Sequence, residues 1–416
     1  MADRRRAPRR LLERLTEARA RHQERHRPSG LGLALADSIA YVDPVRWDAV
    51  TAQASLFLQR RYLAVLERAG PENLEPRYAL IYRGAIPVAA VVMQLVGVAG
   101  TRFVKLGGKP KLLRRALTPA AEALRERVLV CGNLLSWGFH AAAFASGVTP
   151  AEVWPAIAEA MYRVRRADRL AGQSDFALVK DLTPDDMPAA DALRRFSYRP
   201  VESDPNMVLE LAPAWRSYED YLAGLTGKYR NAARKIGKDL AQAGCTLGPL
   251  KELSVHAERL HALYLGVVDN AAVRPVTLPA AFFPALAEGV GEDFRCLAVR
   301  RGPELVGFIS VLKDGDTAVA YYIGFDRASG VGNAVYLGLL HAVIGEAIAL
   351  GCRRISFGRT ALEPKAGLGA RPQRMWLWAR HRNPVMNVLV RRLLRAVPHG
   401  EAPERSPFKT DERSSS

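Results

Sequence analysis

Residues 316–360 decide how this chain folds. They read Asp-Thr-Ala-Val-Ala-Tyr-Tyr-Ile-Gly-Phe-Asp (316–326), Arg-Ala-Ser-Gly-Val-Gly (327–332), an apolar run, and Cys-Arg-Arg-Ile-Ser-Phe-Gly-Arg-Thr (352–360). The pattern predicts a strand, a glycine-containing loop, a helix and a second strand. Glycines let a backbone approach a ligand closely, and the amides of a helix N-terminus carry the positive end of its dipole. The loop can therefore cradle a pyrophosphate, or it can be only a tight turn that starts the helix.

This loop resembles the donor-binding loop of the GNAT acyltransferase superfamily, where a Gln/Arg-x-x-Gly-x-Gly/Ala sequence follows the fourth strand. The match covers all six positions, Arg327, Ala328, Ser329, Gly330, Val331 and Gly332. The resemblance implies that these residues, with Asn333, hold the pyrophosphate of an acyl-CoA co-substrate. It also implies that the preceding strand pairs with the pantetheine arm through the backbone of Ile323, Gly324 and Phe325. A glycine within a strand marks the close approach of a ligand or another backbone, or a simple bulge.

The whole chain looks like the two-domain members of that superfamily, the Fem-type and BioF2-like transferases, and its 416 residues are long enough for two domains. The expected fold class is α/β, a mixed sheet with helices, built as tandem GNAT-like domains of which the first is degenerate. The expected divisions are a basic arm, a first domain, a second domain with the donor-binding loop, and a disordered tail, at 1–30, 31–198, 199–398 and 399–416.

A weak internal repeat supports this duplication. Residues 78–92 align without a gap to residues 296–310, and each segment reads as a strand, an Arg-Gly turn and a second strand. Each half is therefore predicted to contain a hairpin, followed later by a helix and a strand. A cluster of four prolines predicts a linker within 184–206.

The first half departs from the pattern at the loop. Residues 139–150 lack Arg-x-x-Gly-x-Gly, but they end in a helix start with Thr149 as N-cap, Pro150 at the first position and Glu152 in the first turn. We infer that the first half shapes the acceptor pocket or supports the second half.

Acyl transfer to an amine requires a group that accepts a proton. Asp326, beside the loop, and Glu363, after the last core strand, are the candidates, and a capping or structural role is the alternative for each. Tyr336, on the helix after the loop, is the candidate acid for the leaving thiolate, with packing as its commoner role.

The segment after the last core strand should lie at the carboxyl end of that strand, where open α/β sheets bind ligands. It supplies a predicted acceptor-side cluster of Arg359, Thr360 and Lys365 with Glu363. Tyr321 and Tyr322 are neighbours on a strand and should point to opposite faces. Only one of them, assigned as Tyr322, is expected to contact substrate.

The net charge of +18 favours anionic partners, although a GC-rich genome produces a similar composition. Arg230, Arg234 and Lys238 form a basic stripe at helical spacing, either a solvated face or a contact for phosphates. The expected partners are a small-molecule or cell-envelope amine acceptor, tRNA and an anionic membrane surface. No obligatory protein partner is evident.

Four widely spaced cysteines predict neither a disulfide framework nor a zinc site, and the histidine spacing predicts no metal. The most apolar window, 86–100, is shorter than a membrane span. The N-terminus is basic, but Leu11-Leu12-Glu13-Arg14 interrupts any apolar run there, so no signal peptide is expected. The expected location is cytoplasmic, at most peripheral to the inner face of the membrane.

The expected function is N-acyl transfer, of groups other than aminoacyl groups, from acyl-CoA to an amine. One alternative is a Fem-type transferase that draws an aminoacyl group from charged tRNA. Another is a non-catalytic module that binds anionic lipid or nucleic acid.

Overall fold

A computed structural model of the chain describes residues 27–99, 125–268, 275–327, 330–388 and 405–409, with positions 16, 20, 23, 24 and 403. Most of the predicted basic arm lies outside these described residues.

The first half contains six strands and four α-helices among its described residues: β1 (Gly32–Ala36), α1 (Pro44–Thr51), α2 (Arg60–Ala69), β2 (Leu74–Arg83), β3 (Ile86–Ala99), β4 (Arg125–Cys131), β5 (Ala142–Phe144), α3 (Pro150–Ala167), β6 (Ser174–Leu182) and α4 (Met187–Ala190). The second half continues with β7 (Arg199–Glu210), α5 (Tyr218–Gly224), α6 (Gly227–Gln242), β8 (Cys245–Pro249), α7 (Ala257–Val268), α8 (Phe282–Val290), β9 (Phe294–Arg301), β10 (Glu304–Asp314), β11 (Thr317–Phe325), α9 (Gly332–Ala349), β12 (Arg354–Ser356), α10 (Leu362–Gly367) and β13 (Arg371–His381).

One sheet joins the two halves. Its strand order is β1-β2-β3-β4-β6-β13-β7-β12-β11-β10-β9-β8, with β5 beside β3. The two ends repeat one plan, in which the parallel pairs β4–β6 and β11–β12 are each connected through a long helix. The first repeating unit ends with β7 and the second ends with β13, and each of these strands pairs with the other unit: β7 with β12, and β13 with β6. This pseudo-symmetric arrangement confirms the predicted tandem fold.

Both predicted hairpins are present, as β2–β3 and β9–β10. Their turns contain Gly84 at φ 63° and Gly302 at φ 57°. A left-handed backbone of this kind favours glycine, which explains why the Arg-Gly pair recurs at both turns.

The predicted linker is wrong for residues 199–206, because they belong to β7 in the centre of the sheet. Pro200 lies in the part of β7 that pairs with β13, whereas β12 pairs only with Val208–Glu210. The register of β7 and β13 shifts between Gln373 and Met375, next to Pro205. Prolines are tolerated where a ladder is one-sided or bulged, so their clustering did not mark a linker here.

Helices cover both faces of the sheet. On one face α1, α2, α7 and α8 enclose a hydrophobic core that includes Tyr62, Tyr78, Phe283, Phe308 and Tyr321, and so spans both halves. Gly289 of α8 lies directly against Val65 of α2, which brings helices from opposite ends of the sheet together. On the other face α3 covers the first half, and α5, α6 and α9 cover the second.

Helix α9 is long and apolar enough to cross a membrane by length and composition alone. In the fold it packs against β10 and α6: Gly307 of β10 leaves room for Val335, and Gly338 of α9 leaves room for Leu240. The close packing explains the apolar character of α9 by its place in the core.

The C-terminal segment was predicted to be disordered, but residues 405–409 are packed against the second half. Phe408 lies against the rings of Trp215 and Tyr221, and the amide of Thr226 donates to the carbonyl of Pro407 (2.8 Å). The packing of Phe408 against these two rings is enough to hold residues 405–409 against the second half.

Candidate functional site: the strand fork and the central cleft

The parallel strands β11 and β12 pair over only three residues each, Thr317–Val319 with Arg354–Ser356. Beyond Ser356 the chain turns toward β7, where the amide of Phe357 donates to the carbonyl of Met207 (2.8 Å). Within the described chain, no strand pairs with the β12-facing edge of β11 from residue 320 to residue 325. The two strands therefore form a fork that leaves backbone groups of β11 available to a ligand.

Tyr321 and Tyr322 lie on the same face of β11, so the prediction of opposite faces is wrong. The register against β10 shifts between Ile309 and Val311, which places both tyrosines opposite Ser310. Such a bulge re-aims one side chain, and the two rings lie 4.5 Å apart. The Ser310 hydroxyl accepts from the Tyr322 amide (3.0 Å) and donates to its carbonyl (3.3 Å).

The hydroxyl of Tyr322 donates to the carbonyl of Leu135 in the first half (3.3 Å). Its ring packs against Tyr264 and Phe283. Burial raises the pKa of Tyr322 well above its usual range. Tyr322 therefore joins the two halves at the fork, and its substrate-binding role stays a prediction.

Gly324 marks a close approach of another backbone. A Cβ at this position would lie 2.6 Å from backbone atoms of Leu263 and Tyr264 in α7. Ile323 and Phe325, on either side, are half-buried. The glycine thus lets α7 lie directly on β11 beside the fork.

The turn after β11 leads into α9. Arg327 is exposed, with its guanidinium 5.6 Å from the Phe325 ring, and Gly330 has φ 74°. Val331 is the N-cap of α9 and makes no side-chain cap hydrogen bond. Gly332 is buried, and a Cβ there would lie 3.0 Å from the carbonyl oxygen of Asp326.

Ala328 and Ser329 lie outside the described residues. Asn333, in the first turn of α9, is exposed. Because the first amides of a helix have no intrahelical partner, this uncapped N-terminus can bind an anion. Gly330 and Gly332 allow the chain to turn tightly before α9. The first turn of α9 is exposed at Asn333, so a ligand can reach it.

Of the candidate proton-transfer residues near this turn, Tyr336 packs against Phe325, with 5.4 Å between ring centroids. Burial raises the pKa of Tyr336 to about 12, so it keeps its proton near neutral pH. Asp326 is half-buried, and its amide donates to the carbonyl of Val306 (2.9 Å). Both therefore lie beside the predicted donor-binding turn.

A cleft of about 500 Å³ lies over the middle of the sheet, on the side of the shared core. Strands β7, β11, β12 and β13 supply its floor, and the first-half loop 137–140 lies at its wall. Its polar lining includes both acids and bases: His140, Asn206, Glu210, Asp314, Arg354, Ser356, Arg371 and Arg405. The cleft is thus built by both halves.

Trp137 fixes the first-half loop to the fork. Its indole N–H donates to the Ser356 hydroxyl (2.9 Å), which donates to Asn206 Oδ1 (3.1 Å). Gly358, at φ 78°, lies flat against the Trp137 ring, where a Cβ would come within 3.0 Å. A glycine is therefore needed where β12 leaves the fork.

A second contact between the halves lies in the same cleft. Ser55 Oγ is 2.8 Å from His140 Nδ1 and 2.8 Å from Asp314 Oδ2. His140 Nε2 is 3.1 Å from the carbonyl oxygen of Trp137, and the Leu56 amide donates to Asp314 Oδ1 (2.6 Å). Burial lowers the pKa of His140 to about 4, an effect that the Asp314 carboxylate opposes.

The predicted acceptor-side residues do not line this cleft. Arg359 forms an ion pair with the buried Asp181, and burial lowers the pKa of Arg359 to about 10. Lys365 is buried and donates to the carbonyl of Gly358 (3.3 Å). Thr360 is exposed, and the exposed Glu363 pairs with Arg405, which itself lines the cleft.

Sequence reasoning missed Ser55, His140 and Asp314. Ser55 precedes a short 3-10 helix, Leu56–Leu58, as its N-cap, and Asp314 begins an Asp-Gly turn. Each residue therefore has an ordinary local role that conceals the contact. Separations of 85 and 259 residues left no sequence signal for it.

Two comparisons with known proteins bear on this geometry. Residues 227–366 match the family model described as "Acetyltransferase (GNAT) domain". The chain superposes on the crystal structure of FemX with a TM-score of 0.51 at 9% identity, covering 86% of this chain and 100% of that chain. A search of curated proteins finds no significant match.

Two further solved structures have TM-scores below 0.5. A tandem GNAT protein from the clavulanic acid biosynthesis pathway has a TM-score of 0.48 at 14% identity, covering 85% of this chain and 99% of that chain. L-PGS from Bacillus licheniformis has a TM-score of 0.44 at 12% identity, covering 80% and 95%.

The matched segment contains the strand fork, the glycine turn and α9, and the strand order adds a second unit of the same plan. Residues 227–366 therefore match a GNAT acetyltransferase domain, and the chain as a whole has a two-domain fold similar to that of FemX.

Proposed function

We propose that the protein transfers an acyl group from an acyl-CoA thioester to an amine. The observation that carries this proposal is the fork between β11 and β12. Among the described residues, it leaves an edge of β11 without a strand partner, and that edge leads to the N-terminus of α9, where the N-cap residue Val331 makes no side-chain cap hydrogen bond. A pantetheine arm could pair with that edge, and a pyrophosphate would meet the amides of Gly332 and Asn333. When bound, the thioester supplies the activated acyl group.

The central cleft is the proposed acceptor site. It reaches Val319 and Ser356, where β11 and β12 part, so that an acceptor within it lies next to the proposed thioester. Glu210 and Asp314 can attract an ammonium group, while Arg354 and Arg371 can bind an anionic group. This lining suits a small polar amine that also carries a negative charge.

Tyr336 is the proposed proton donor to the leaving thiolate, because it keeps its proton and lies next to Phe325 at the turn. Asp326 and Glu363 stay candidate proton acceptors. Glu363 is the weaker candidate, since it is exposed, does not line the cleft, and is paired with Arg405.

Calorimetric titration with acetyl-CoA and longer acyl-CoAs tests the donor site. Arg327→Glu should weaken binding about 10-fold or more, because it replaces a cation beside the proposed phosphates with an anion. Arg166→Glu, the same change at an exposed position on α3, is the matched control. Gly332→Glu should abolish binding, but it also presses on Asp326, so its melting temperature must be compared with that of the wild type.

Unchanged binding in Arg327→Glu and in a folded Gly332→Glu protein would contradict the donor assignment. The loop would then be a structural turn.

The exposed side of α6 favours a second candidate function. Arg234 and Lys238 are exposed and face solvent on the same helix, and the whole chain carries a net charge of +18. These features suit a Fem-type transferase that takes an aminoacyl group from tRNA, or a module that binds anionic lipid. If tRNA binds with steep salt dependence, is lost in Arg234→Glu/Lys238→Glu, and acyl-CoA does not bind, this candidate replaces the first.

A further inference from the structure

Asp314, Ser55 and His140 form a hydrogen-bonded chain that no sequence motif indicated. Both gaps, from Asp314 Oδ2 to Ser55 Oγ and from Ser55 Oγ to His140 Nδ1, are 2.8 Å. His140 is 8% exposed, whereas Asp314 is half-buried, and both line the central cleft. Asp314 belongs to the second half and the other two residues to the first. The Asp314–Ser55 hydrogen bond therefore forms only when the two halves are packed together.

When Asp314 is a carboxylate and His140 is neutral, there are too few hydrogens for both the Asp314–Ser55 and the Ser55–His140 hydrogen bonds. The carbonyl of Trp137 can only accept, so His140 Nε2 must carry a hydrogen. The neutral imidazole then has none on Nδ1. Asp314 as a carboxylate has none either, which leaves the single Ser55 hydrogen for two contacts. One added proton fills both contacts and makes the group of three electrically neutral.

The added proton can be placed in two ways, and each gives a hydrogen to both hydrogen bonds. Either Ser55 donates to Asp314 and a doubly protonated His140 donates to Ser55, or a protonated Asp314 donates to Ser55 and Ser55 donates to His140 Nδ1. A proton that enters at Asp314 can therefore pass to His140 by a shift of hydrogens along existing bonds.

A nucleophilic role for Ser55 fits this geometry poorly. In a Ser-His-Asp triad the histidine lies between the other two residues, and its free nitrogen activates the serine. Here Ser55 lies in the middle, its oxygen also accepts from the Phe57 amide (3.2 Å), and His140 Nε2 is occupied by the Trp137 carbonyl. The arrangement stores a proton instead of removing one from Ser55.

We propose that Asp314, in place of Asp326 or Glu363, is the catalytic base of the acyl transfer and that Ser55 and His140 are positioning residues which carry the proton onward. The proposal rests on the proposed function. The acceptor ammonium gives one proton to the Asp314 carboxylate, and its nitrogen then attacks the thioester carbonyl carbon. The C–N bond forms, the C–S bond breaks, Tyr336 gives its proton to the thiolate sulfur, and the second proton of the nitrogen restores the Tyr336 hydroxyl. The proton held by the chain returns to solvent.

The charged groups acting on His140 are Asp314, which favours its protonated form, and the buried Lys180 of β6, which opposes it. Burial itself disfavours an isolated imidazolium. These influences agree with a neutral His140 and an ionised Asp314 in the absence of substrate. The three residues then take up a proton that neutralises the Asp314 charge.

Two probe amines separate this role from a structural one. At pH 7.5 ethylamine is mostly an ammonium ion and needs a base, whereas hydroxylamine is mostly uncharged and does not. With acetyl-CoA as donor and the acetylated amine measured by mass spectrometry, Asp314→Asn should lower kcat for ethylamine about 100-fold. The same variant should change kcat for hydroxylamine by less than about 3-fold, because no ammonium proton has to be removed.

Ser55→Ala and His140→Gln should show the same selectivity with a smaller loss, because Asp314 can still accept the proton but cannot pass it on. Asp37→Asn is the control, since Asp37 is exposed and does not line the cleft. Melting temperature and acetyl-CoA affinity should stay near the wild-type values in all four variants.

The outcomes separate the two proposals. Equal losses with both amines, or no loss in Asp314→Asn, would overturn the proton chain and leave the proposed function standing. A wild-type protein that binds acetyl-CoA but acetylates neither amine would overturn the proposed function and, with it, the role of the chain.

Discussion

At the scale of single residues, the junction of the two halves contains several buried charges. Lys180 donates to the carbonyls of Asn133 (2.9 Å) and Ser136 (2.8 Å) and pairs with Asp181, which also pairs with Arg359. Burial lowers the pKa of Lys180 well below its usual range. Carbonyl and carboxylate partners reduce the cost of burying such groups but do not remove it.

Lys365 makes this cost measurable. It is 4% exposed, and burial lowers its pKa from 10.5 to about 7. Between these two values the unfolded chain binds a proton that the folded chain does not, so the free energy of unfolding should rise with pH in this window. From pH 7 to pH 9 the contribution of Lys365 is about 2 kcal/mol.

Urea titrations at pH 7 and pH 9 measure that contribution as a difference between wild type and Lys365→Met. The variant should be more stable than the wild type at pH 7, and its advantage should shrink at pH 9. The exposed Lys251→Met is the control and should follow the wild type. Parallel pH dependence in wild type and Lys365→Met would contradict the expectation.

At the scale of elements, the packing of α7 on β11 defines one side of the fork. This packing depends on Gly324, which has no side chain to separate the strand from Leu263 and Tyr264. The bulge at Tyr321 and Tyr322 lies just before it, so strand distortion and helix approach occur together beside the proposed thioester position.

Gly324→Ala should lower the free energy of unfolding by about 1–3 kcal/mol, because its Cβ would overlap the α7 backbone. Gly237→Ala is the matched control, since Gly237 lies within α6 with open space around it. That control should gain about 0.5–1 kcal/mol from the better helix propensity of alanine. Equal stability of the two variants in urea titration would show that α7 can move away from β11 without cost.

At the scale of the whole molecule, the two units share both a sheet and a core. β13 lies between β6 and β7, so that each unit is completed by a strand of the other. The exposed Arg61 of α2 donates to the carbonyl of Val290 in α8 (2.9 Å), which links helices of the two units at the margin of their common core. A domain that lacked its exchanged strand would expose an unpaired edge and part of this core.

We therefore expect one cooperative unfolding transition. Scanning calorimetry should give equal calorimetric and van't Hoff enthalpies, and ellipticity and tryptophan fluorescence should change at the same temperature. A fragment ending at residue 198 should be insoluble or unfolded. Two resolved transitions, or a soluble folded fragment, would show that the units are independent.

The sequence was sufficient for several parts of this architecture because their signals are local. The Arg-Gly pairs at Gly84 and Gly302 predicted both hairpins, since the turn itself requires a left-handed residue. Gly330, at φ 74°, predicted the turn that starts α9 for the same reason. The prolines of β7 led to the wrong prediction of a linker. Whether a proline interrupts a strand depends on whether the neighbouring strand pairs at that position, and the sequence does not show this.

Local sequence signals thus predicted the repeated units and their turns, and the family resemblance predicted the candidate donor loop. Only the tertiary structure decided the exchange of β7 and β13, the shared face of Tyr321 and Tyr322, and the meeting of Ser55, His140 and Asp314. Those features depend on strand register and on packing between residues up to 259 positions apart, and contacts over such distances leave no periodic pattern along the chain.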